Sequence, residues 1–239
     1  MFLKLSSKEE IKEIIKNSNL HAAPGCDGLT NYFYHKLFYT IGDCLTEVVQ
    51  AIFLDKTPTI SQRTCQMVFT PQPNKPDSLN LSDKRKISLL NADFKILTGI
   101  ENKRHTKILD HTVSPLQFAL GKSKSIHQAI GAARDAVFFA NKKNQNCAIA
   151  DLDFKAAFDF LCMDWVFLVL EKKGLHSKNI ERLKRYYQNS ITIPVINNIP
   201  GRKITNHRLT LRQGDCPSSA WFGFGVDPLL SFLEKDYKE

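Results

Sequence analysis

The spacing of apolar residues in the first third of the chain predicts helices around an irregular loop. Isoleucines at 11, 14 and 15 share one helical face, and Ser6 or Ser7 can cap a helix that begins there and runs to about residue 19. Proline and two glycines in residues 23–28 then break regular structure. Apolar and aromatic residues at 32–38 and 49–53 predict that helix resumes after this loop.

A hairpin is predicted next. Residues 66–70 form a short apolar run, residues 71–77 are rich in proline and other turn formers, and residues 86–90 are apolar again. This order favours two antiparallel strands joined by an exposed tip. A helix carrying several basic residues is predicted to follow, from about residue 92 to 110.

The second half alternates between the two kinds of pattern. Small and apolar residues mixed with acids at 147–154 predict a strand with a carboxylate at its end, and residues 191–196 and 203–211 predict paired strands joined by a turn at 198–201. Gly174 is placed to end a helix in a left-handed cap. Helical spacing appears in four stretches: residues 126–141, 165–173, 180–188 and 218–233.

Composition places the chain among globular proteins. It has 239 residues, of which 43% are hydrophobic and 24% charged, so we expect one domain or two closely packed subdomains and exclude a mainly disordered chain. The longest uninterrupted apolar runs, residues 165–170 and 220–226, are far below the roughly 20 residues that cross a bilayer, so we expect no membrane partner. We also expect no targeting segment at the N-terminus.

The charge balance favours a polyanionic partner such as nucleic acid. Lys and Arg outnumber Asp and Glu by 33 to 24, and residues 84–107 contain seven basic side chains against two acids. This segment is a candidate phosphate-binding face, although a solvated helix face would have the same composition. The six cysteines form no CxxC pair, which disfavours a zinc site or a disulfide framework and favours a reducing compartment.

Five motifs follow one another along the chain. They are APGCDG at residues 23–28 with Phe33-Tyr34, RKISLLN at 85–91 with KIL at 95–97, the stretch from Gln117 to Ile126, DFKAAFD at 153–159, and RQGD at 212–215 with Pro217-Ser218 and Phe222. In this order they resemble the reverse transcriptase domain of non-LTR (LINE-type) retrotransposons. The resemblance covers nearly the whole chain, and a group II intron or retron enzyme fits these strings less well.

The resemblance implies an α+β right-hand polymerase fold. Residues 1–110 would form the fingers and residues 111–239 a partial palm with the A and B motifs. The implied activity is RNA-directed DNA polymerisation, with an RNA template, a DNA primer, deoxynucleotide triphosphates and Mg²⁺ as partners. The implied location is intracellular, and nuclear in the intact element.

The same resemblance assigns roles at a magnesium and nucleotide site. Two magnesium ions, roughly 3.5 to 4 Å apart, would be bridged by the carboxylate of Asp153, with the backbone carbonyl of Phe154 as a further ligand. Asp151, two residues earlier on the same predicted strand face, is either a second ligand or a polar neighbour. Without the motif, Asp153 would be interpreted as a turn or cap carboxylate.

Four further residues are assigned to the nucleotide. Phe158 would lie under its sugar and exclude a 2′-hydroxyl, Arg85 would pair with the triphosphate, the Gln213 amide would touch the nucleotide, and Gly214 would let backbone approach closely. Taken singly, Phe158 is more typical of a core phenylalanine. Arg85 would be interpreted as an exposed strand residue, and Gln213-Gly214 as an ordinary glycine turn that opens a helix.

Departures from the family pattern affect the expected activity. Gln72 replaces a usual lysine, for which Lys75 is the candidate substitute, Lys86 replaces a usual proline, and Cys216 precedes Pro217. An aromatic-x-Asp-Asp turn, which would supply another metal-binding carboxylate, does not occur in the 239 residues. We therefore expect a fragment or decayed copy with little or no polymerase activity by itself. The alternative is a non-catalytic nucleic-acid-binding remnant that uses residues 84–107.

Overall fold

Helices surround one small sheet in this computed structural model. It describes residues 4–119, 124–146, 148–205 and 210–236, with backbone alone at 108–110 and 236. The described helices are α1 Lys8–Lys16, α2 Asn31–Leu54, α3 Ile60–Arg63, α4 Ala92–Thr112, α5 Ile126–Lys142, α6 Ala157–Phe160, α7 Met163–Lys172, α8 Ser177–Tyr187 and α9 Ser218–Asp236. The strands are β1 Thr64–Pro71, β2 Lys84–Leu90, β3 Ile191–Ile196, β4 Ile199–Pro200 and β5 Ile204–Thr205. The mixed α+β class is confirmed.

The first helices form where the sequence predicts them. Ser7 caps α1 by accepting from the backbone N–H of Glu10 at 3.2 Å, and α1 buries Ile11 and Ile15 against the core. Nine residues are too few for a stable isolated helix, so the burial of these isoleucines in the core stabilises α1.

Helix α2 is longer and more apolar than the short apolar runs indicated. It has 24 residues, and an 18-residue window reaches a mean hydropathy of 1.4, so by length and composition it could cross a membrane. The core helix of a soluble protein passes the same test. Here α2 packs beside α1, with Gln50 donating to the carbonyl oxygen of Ser6 at 2.8 Å and Lys8 pairing with Asp43 at 2.6 Å.

The sheet joins the two halves of the chain. Its order is β2-β1-β3-β4, with β5 also on β3. The predicted hairpin is confirmed, since β1 and β2 are antiparallel with Cys65 opposite Leu90. Strand β3 runs parallel to β1, with Thr64 opposite Ile191, a pairing that the local pattern did not reveal.

The predicted strand pair after residue 191 is confirmed in part. Strands β3 and β4 meet through a two-residue loop at Asn197 and Asn198, whose φ values of 50° and 64° suit a tight hairpin turn. The return strand is short, because β4 and β5 have two residues each. Residues 206–209 of the predicted strand lie outside the described residues.

The predicted strand at 147–154 is wrong for the part that the structure describes. Residues 148–154 have no regular structure and are exposed, with Leu152 87% accessible. A strand needs a hydrogen-bonded neighbour, and no described strand pairs with this segment. Asp151 and Asp153 therefore do not share a strand face.

One hydrophobic core extends across residue 110. Phe94 of α4 packs edge-to-face on Tyr186 and Tyr187 of α8, and Trp221 of α9 packs on Tyr187. All four side chains are at most 2% exposed. The core therefore does not divide at the predicted boundary, and the assignment of residues 1–110 to fingers and 111–239 to palm stays a prediction.

A polar cluster is buried inside this core. Glu101 of α4 accepts from Nε of Arg182 at 2.8 Å, from Nη2 of Arg182 at 3.3 Å and from the Tyr186 hydroxyl at 3.0 Å. The guanidinium of Arg182 lies 4.5 Å from the ring centroid of Phe53. These contacts join α2, α4 and α8.

Candidate functional site

A pocket of about 690 Å³ lies between the β1–β2 hairpin and the segment that leads into α6. Arg85 lines it from the hairpin, Asp153, Phe154 and Phe158 line it from the segment and α6, and Gln213 closes it. These are five of the residues that the motifs assign to the site, and they come from three distant parts of the sequence. Asp151 does not line the pocket, and Gly214 lies just outside it.

The hairpin makes its side of the pocket strongly basic. Lys75, Lys84, Arg85 and Lys86 all line it. Lys75 is held by Asp83 at 2.7 Å, which places the candidate substitute for the usual lysine at the pocket wall. With Lys155 from the opposite side, five cations and three acids line the pocket, and this excess of positive charge suits a multiply charged anion such as a triphosphate.

The carboxylate of Asp153 and the guanidinium of Arg85 take part in none of the ion pairs found between described residues. Both side chains are exposed at the pocket. Charged groups without a protein partner can bind a ligand without first giving up a salt bridge. This arrangement is compatible with the roles predicted for the two residues.

Lys86 has an ion-pair partner that the sequence did not reveal. Its Nζ lies 2.8 Å from Oδ2 of Asp159, so strand β2 is tied to α6 across the pocket. The two residues are 73 positions apart, which is why no local pattern identified the pair.

Helix α6 presents Phe158 from a short turn. Ala156 precedes the helix with a φ of 50°, a left-handed conformation that costs a non-glycine residue about 1 kcal/mol. The Phe158 ring stacks on Phe222 of α9, with centroids 5.4 Å apart and planes 25° apart, and Phe154 meets the same ring edge-on at 6.0 Å. The aromatic residues of the two motifs therefore form one cluster.

Gln213 and Gly214 lie against strand β2. The backbone N–H of Ser88 donates to the carbonyl oxygen of Gln213 at 2.7 Å. Gly214 has a φ of 118°, and a Cβ there would be 2.5 Å from the carbonyl oxygen of Ser88. The expected close approach is thus between this backbone and β2, and only glycine permits it.

Buried polar contacts hold the same segment from behind. The Tyr187 hydroxyl donates to Oδ2 of Asp215 at 2.7 Å, and the guanidinium of Arg212 lies 5.5 Å from the ring centroid of Tyr187. Burial raises the pKa of Asp215 above its usual range, despite the hydrogen bond from Tyr187 and the nearby charge of Arg212. These contacts fix the position from which Gln213 reaches the pocket.

The motif at 23–28 also has a structural partner that the sequence did not reveal. A Cβ on Gly25 would lie 2.4 Å from the backbone nitrogen of Asn91, so this loop packs directly on the end of the RKISLLN motif. The Asn91 amide donates to the carbonyl oxygen of Ser61 at 3.1 Å. The first motif therefore supports the second, which lines the pocket through Arg85 and Lys86.

The basic segment 84–107 is not one phosphate-binding face. Arg104 is 4% exposed and donates to both carboxylate oxygens of Glu10, and Lys103 pairs with Glu13. These charges are neutralised by α1. Within the segment, the cations that face the pocket are Lys84, Arg85 and Lys86.

The oxygen donors at the pocket fit part of a magnesium site. Asp153 offers a carboxylate and Phe154 a backbone carbonyl, and magnesium is commonly held by one or two carboxylates together with substrate phosphates. Within the described ranges, no group of three or more His, Cys, Asp or Glu side chains could hold a metal ion. The site as described depends on oxygen atoms from the ligand itself.

Comparison with known proteins agrees with the motifs. Residues 73–238 match the family described as reverse transcriptase (RNA-dependent DNA polymerase). The chain is also 25% identical over 228 residues to the "Transposon TX1 uncharacterized 149 kDa protein" of Xenopus laevis. That alignment covers 95% of this chain and 17% of the relative's length. The chain therefore belongs to the reverse transcriptase family.

Proposed function

We propose that the pocket between the β1–β2 hairpin and α6 is the incoming-nucleotide site of an RNA-directed DNA polymerase. One observation carries this proposal: Arg85, Asp153, Phe154, Phe158 and Gln213 line a single pocket although they come from three distant parts of the chain. Family membership supports the reaction, and the pocket would receive its nucleotide substrate.

Each side of the pocket suits a different part of a deoxynucleotide triphosphate. Arg85 and Lys84 would bind the phosphates, since a guanidinium fork matches phosphate oxygens. The flat face of Phe158 would support the sugar and leave no room for a 2′-hydroxyl. The Gln213 side chain, which reaches the pocket from the segment fixed on β2, would contact the nucleotide.

Asp153 and the carbonyl of Phe154 would hold Mg²⁺ together with the phosphates. The ion would neutralise negative charge on the triphosphate and on the attacking oxygen. In the parent protein, the primer 3′-hydroxyl would attack the α-phosphorus and release pyrophosphate. For the 239-residue chain alone we propose little or no polymerisation, because an aromatic-x-Asp-Asp turn does not occur in it.

Nucleotide binding by this chain tests the proposal. The protein, mixed with a primed RNA template and Mg²⁺, would be titrated with dATP. Calorimetry would measure the dissociation constant of dATP. Arg85→Ala and Asp153→Asn should each weaken dATP binding, by about 10-fold or more if the lost contact is charge-assisted. Lys16→Ala, at the exposed end of α1, is the matched control and should bind as the wild type does. Equal binding by all four proteins would overturn the proposal.

A second candidate is a non-catalytic nucleic-acid-binding remnant. Two features favour it. No group of three or more metal-binding side chains was found among the described residues, and the hairpin that lines the pocket is basic. RNA affinity would then fall steeply with salt and would be unaffected by Asp153→Asn. A protein that binds RNA in this way but does not bind dATP would support the remnant over the polymerase site.

A further inference from the structure

Helix α6 is held from two sides by residues whose roles the sequence did not assign. It is four residues long, Ala157–Phe160, and carries Phe158 and Asp159 side by side. A single helical turn cannot maintain its own position, because nucleating a helix is unfavourable and tertiary contacts must stabilise it. The contacts of these two side chains therefore decide where the Phe158 ring lies.

The first contact is with α9. The Phe222 ring lies behind Phe158 in a nearly parallel stack, with centroids 5.4 Å apart and planes 25° apart. One turn further along α9, a Cβ on Gly225 would lie 2.6 Å from Leu161, so the chain just after α6 sits directly on this helix. Trp165 adds a hydrogen bond from Nε1 to the carbonyl oxygen of Gly225 at 2.8 Å. Helix α9 thus supports the segment at two successive turns.

The second contact is with β2. Lys86 Nζ lies 2.8 Å from Asp159 Oδ2, and the two side chains are 39% and 38% exposed. A pair with this exposure contributes little to stability, because water screens it. Its effect is directional: it draws the end of α6 toward the hairpin that carries Arg85.

We propose that Phe222 and Lys86 are positioning residues that fix the Phe158 ring against the nucleotide sugar and so set the preference for deoxyribose over ribose. This inference rests on the proposed function, which places the sugar on Phe158. Phe222 acts through the stack, and Lys86 acts through Asp159. A ring free to tilt would admit the 2′-hydroxyl that a fixed ring excludes.

The test compares dATP with ATP, which differ by that hydroxyl. With Mg²⁺ and a primed RNA template present, the ratio of the ATP dissociation constant to the dATP dissociation constant measures discrimination. Phe222→Ala should lower this ratio about threefold to tenfold, the range of one aromatic pair interaction. Phe232→Ala, an exposed phenylalanine on the same helix, is the matched control and should leave the ratio unchanged.

Loss of packing alone would not produce this result, because it would weaken both nucleotides equally. If Phe222→Ala fails to give a cooperative melt, Phe222→Leu is used instead, since it retains apolar bulk but loses the stacked plane. A further readout needs no nucleotide: amide exchange of Phe160 and Leu161, whose N–H groups bond within the turn, should quicken in the Phe222 variant and not in Phe232→Ala.

The ion pair is tested by exchanging its charges. Lys86→Asp and Asp159→Lys should each lower the discrimination ratio, and the double variant should recover most of it. Recovery would show that the pairing matters rather than the charge of Lys86 at the pocket. If the double variant is no better than the singles, Lys86 has no positioning role.

Phe158→Ala separates this inference from the proposed function. If Phe158→Ala leaves the ratio unchanged, or if the wild-type ratio is near one, the sugar does not lie on Phe158 and the proposed contact itself is wrong. If Phe158→Ala lowers the ratio but the Phe222 variant does not, the proposed function stands and the inference about Phe222 is overturned.

Discussion

The buried carboxylate of Glu101 gives the sharpest stability prediction. Glu101→Leu removes the acceptor of two hydrogen bonds from Arg182 and one from Tyr186, all inside the core. The Arg182 side chain is 4% exposed, so its charge cannot turn to water without disrupting α8. The variant therefore buries a positive charge that has lost its carboxylate.

The cost follows from what remains around Arg182. Removing one partner of a buried ion pair typically destabilises a protein by about 3 to 5 kcal/mol. The Phe53 ring, 4.5 Å from the guanidinium, still attracts the charge and favours the lower part of that range. For a chain of this size, about 3 to 4 kcal/mol lowers the melting temperature by roughly 6 to 16 °C.

Circular dichroism during urea unfolding measures the free energy of unfolding. Its dependence on urea concentration should have the same slope in the variant and in the wild type. Glu101→Leu/Arg182→Met should lose less stability than Glu101→Leu alone, because the double variant leaves no buried charge of the pair. Asp43→Asn, which breaks the exposed pair with Lys8, is the control and should cost less than about 1 kcal/mol. If Glu101→Leu costs no more than this control, the reasoning about a buried charge that has lost its carboxylate is refuted.

Three further predictions concern single residues. Burial lowers the pKa of His105, whose Nδ1 accepts a hydrogen bond from Trp221. The contribution of neutral His105 to the free energy of unfolding should therefore be fully present above about pH 6.5 and be lost as the pH falls below it. His105→Gln should flatten this decline in a pH series of urea titrations. Cys216 is an exposed residue like Cys44, but its Sγ donates to the carbonyl oxygen of Lys95 at 3.5 Å, and desolvation of the thiol, with the nearby charge of Asp215, raises its pKa to about 11. Iodoacetamide at pH 8 should therefore alkylate Cys216 about tenfold more slowly than Cys44, as peptide mass spectrometry can measure; equal rates would contradict the raised pKa. Gly214→Ala should lower the free energy of unfolding by about 2 kcal/mol or more, because the new Cβ strains the backbone and clashes with the carbonyl oxygen of Ser88 in β2. The variant should also bind dATP more weakly. An unchanged melting temperature would exclude this clash.

Local sequence signals predicted the elements whose caps, turns and buried faces are encoded within the element itself. The serine cap and isoleucine spacing of α1 were sufficient, and so were the two apolar runs and the proline-rich tip of the β1–β2 hairpin. The strand predicted around Asp153 failed because strand formation depends on a neighbouring chain segment, which composition does not reveal. The parallel pairing of β1 with β3 was missed for the same reason.

The candidate site was predicted from motifs, and its geometry was not. The motifs named Arg85, Asp153, Phe158 and Gln213, which share the pocket, but their individual roles remain predictions. Charge counting failed for Arg104, because its partner Glu10 is 94 residues away and only the fold brings them together. Burial of a charged side chain is a property of tertiary structure.

The parallel pairing of β1 with β3 affects how the chain folds during synthesis on the ribosome. Thr64 pairs with Ile191, so one edge of β1 has no partner until 127 more residues have been synthesised. At roughly 5 to 20 residues per second, a ribosome needs about 6 to 25 s for that length. During this time the β1–β2 hairpin exposes unpaired backbone groups to other nascent chains, which makes translation speed and chaperone access determinants of yield.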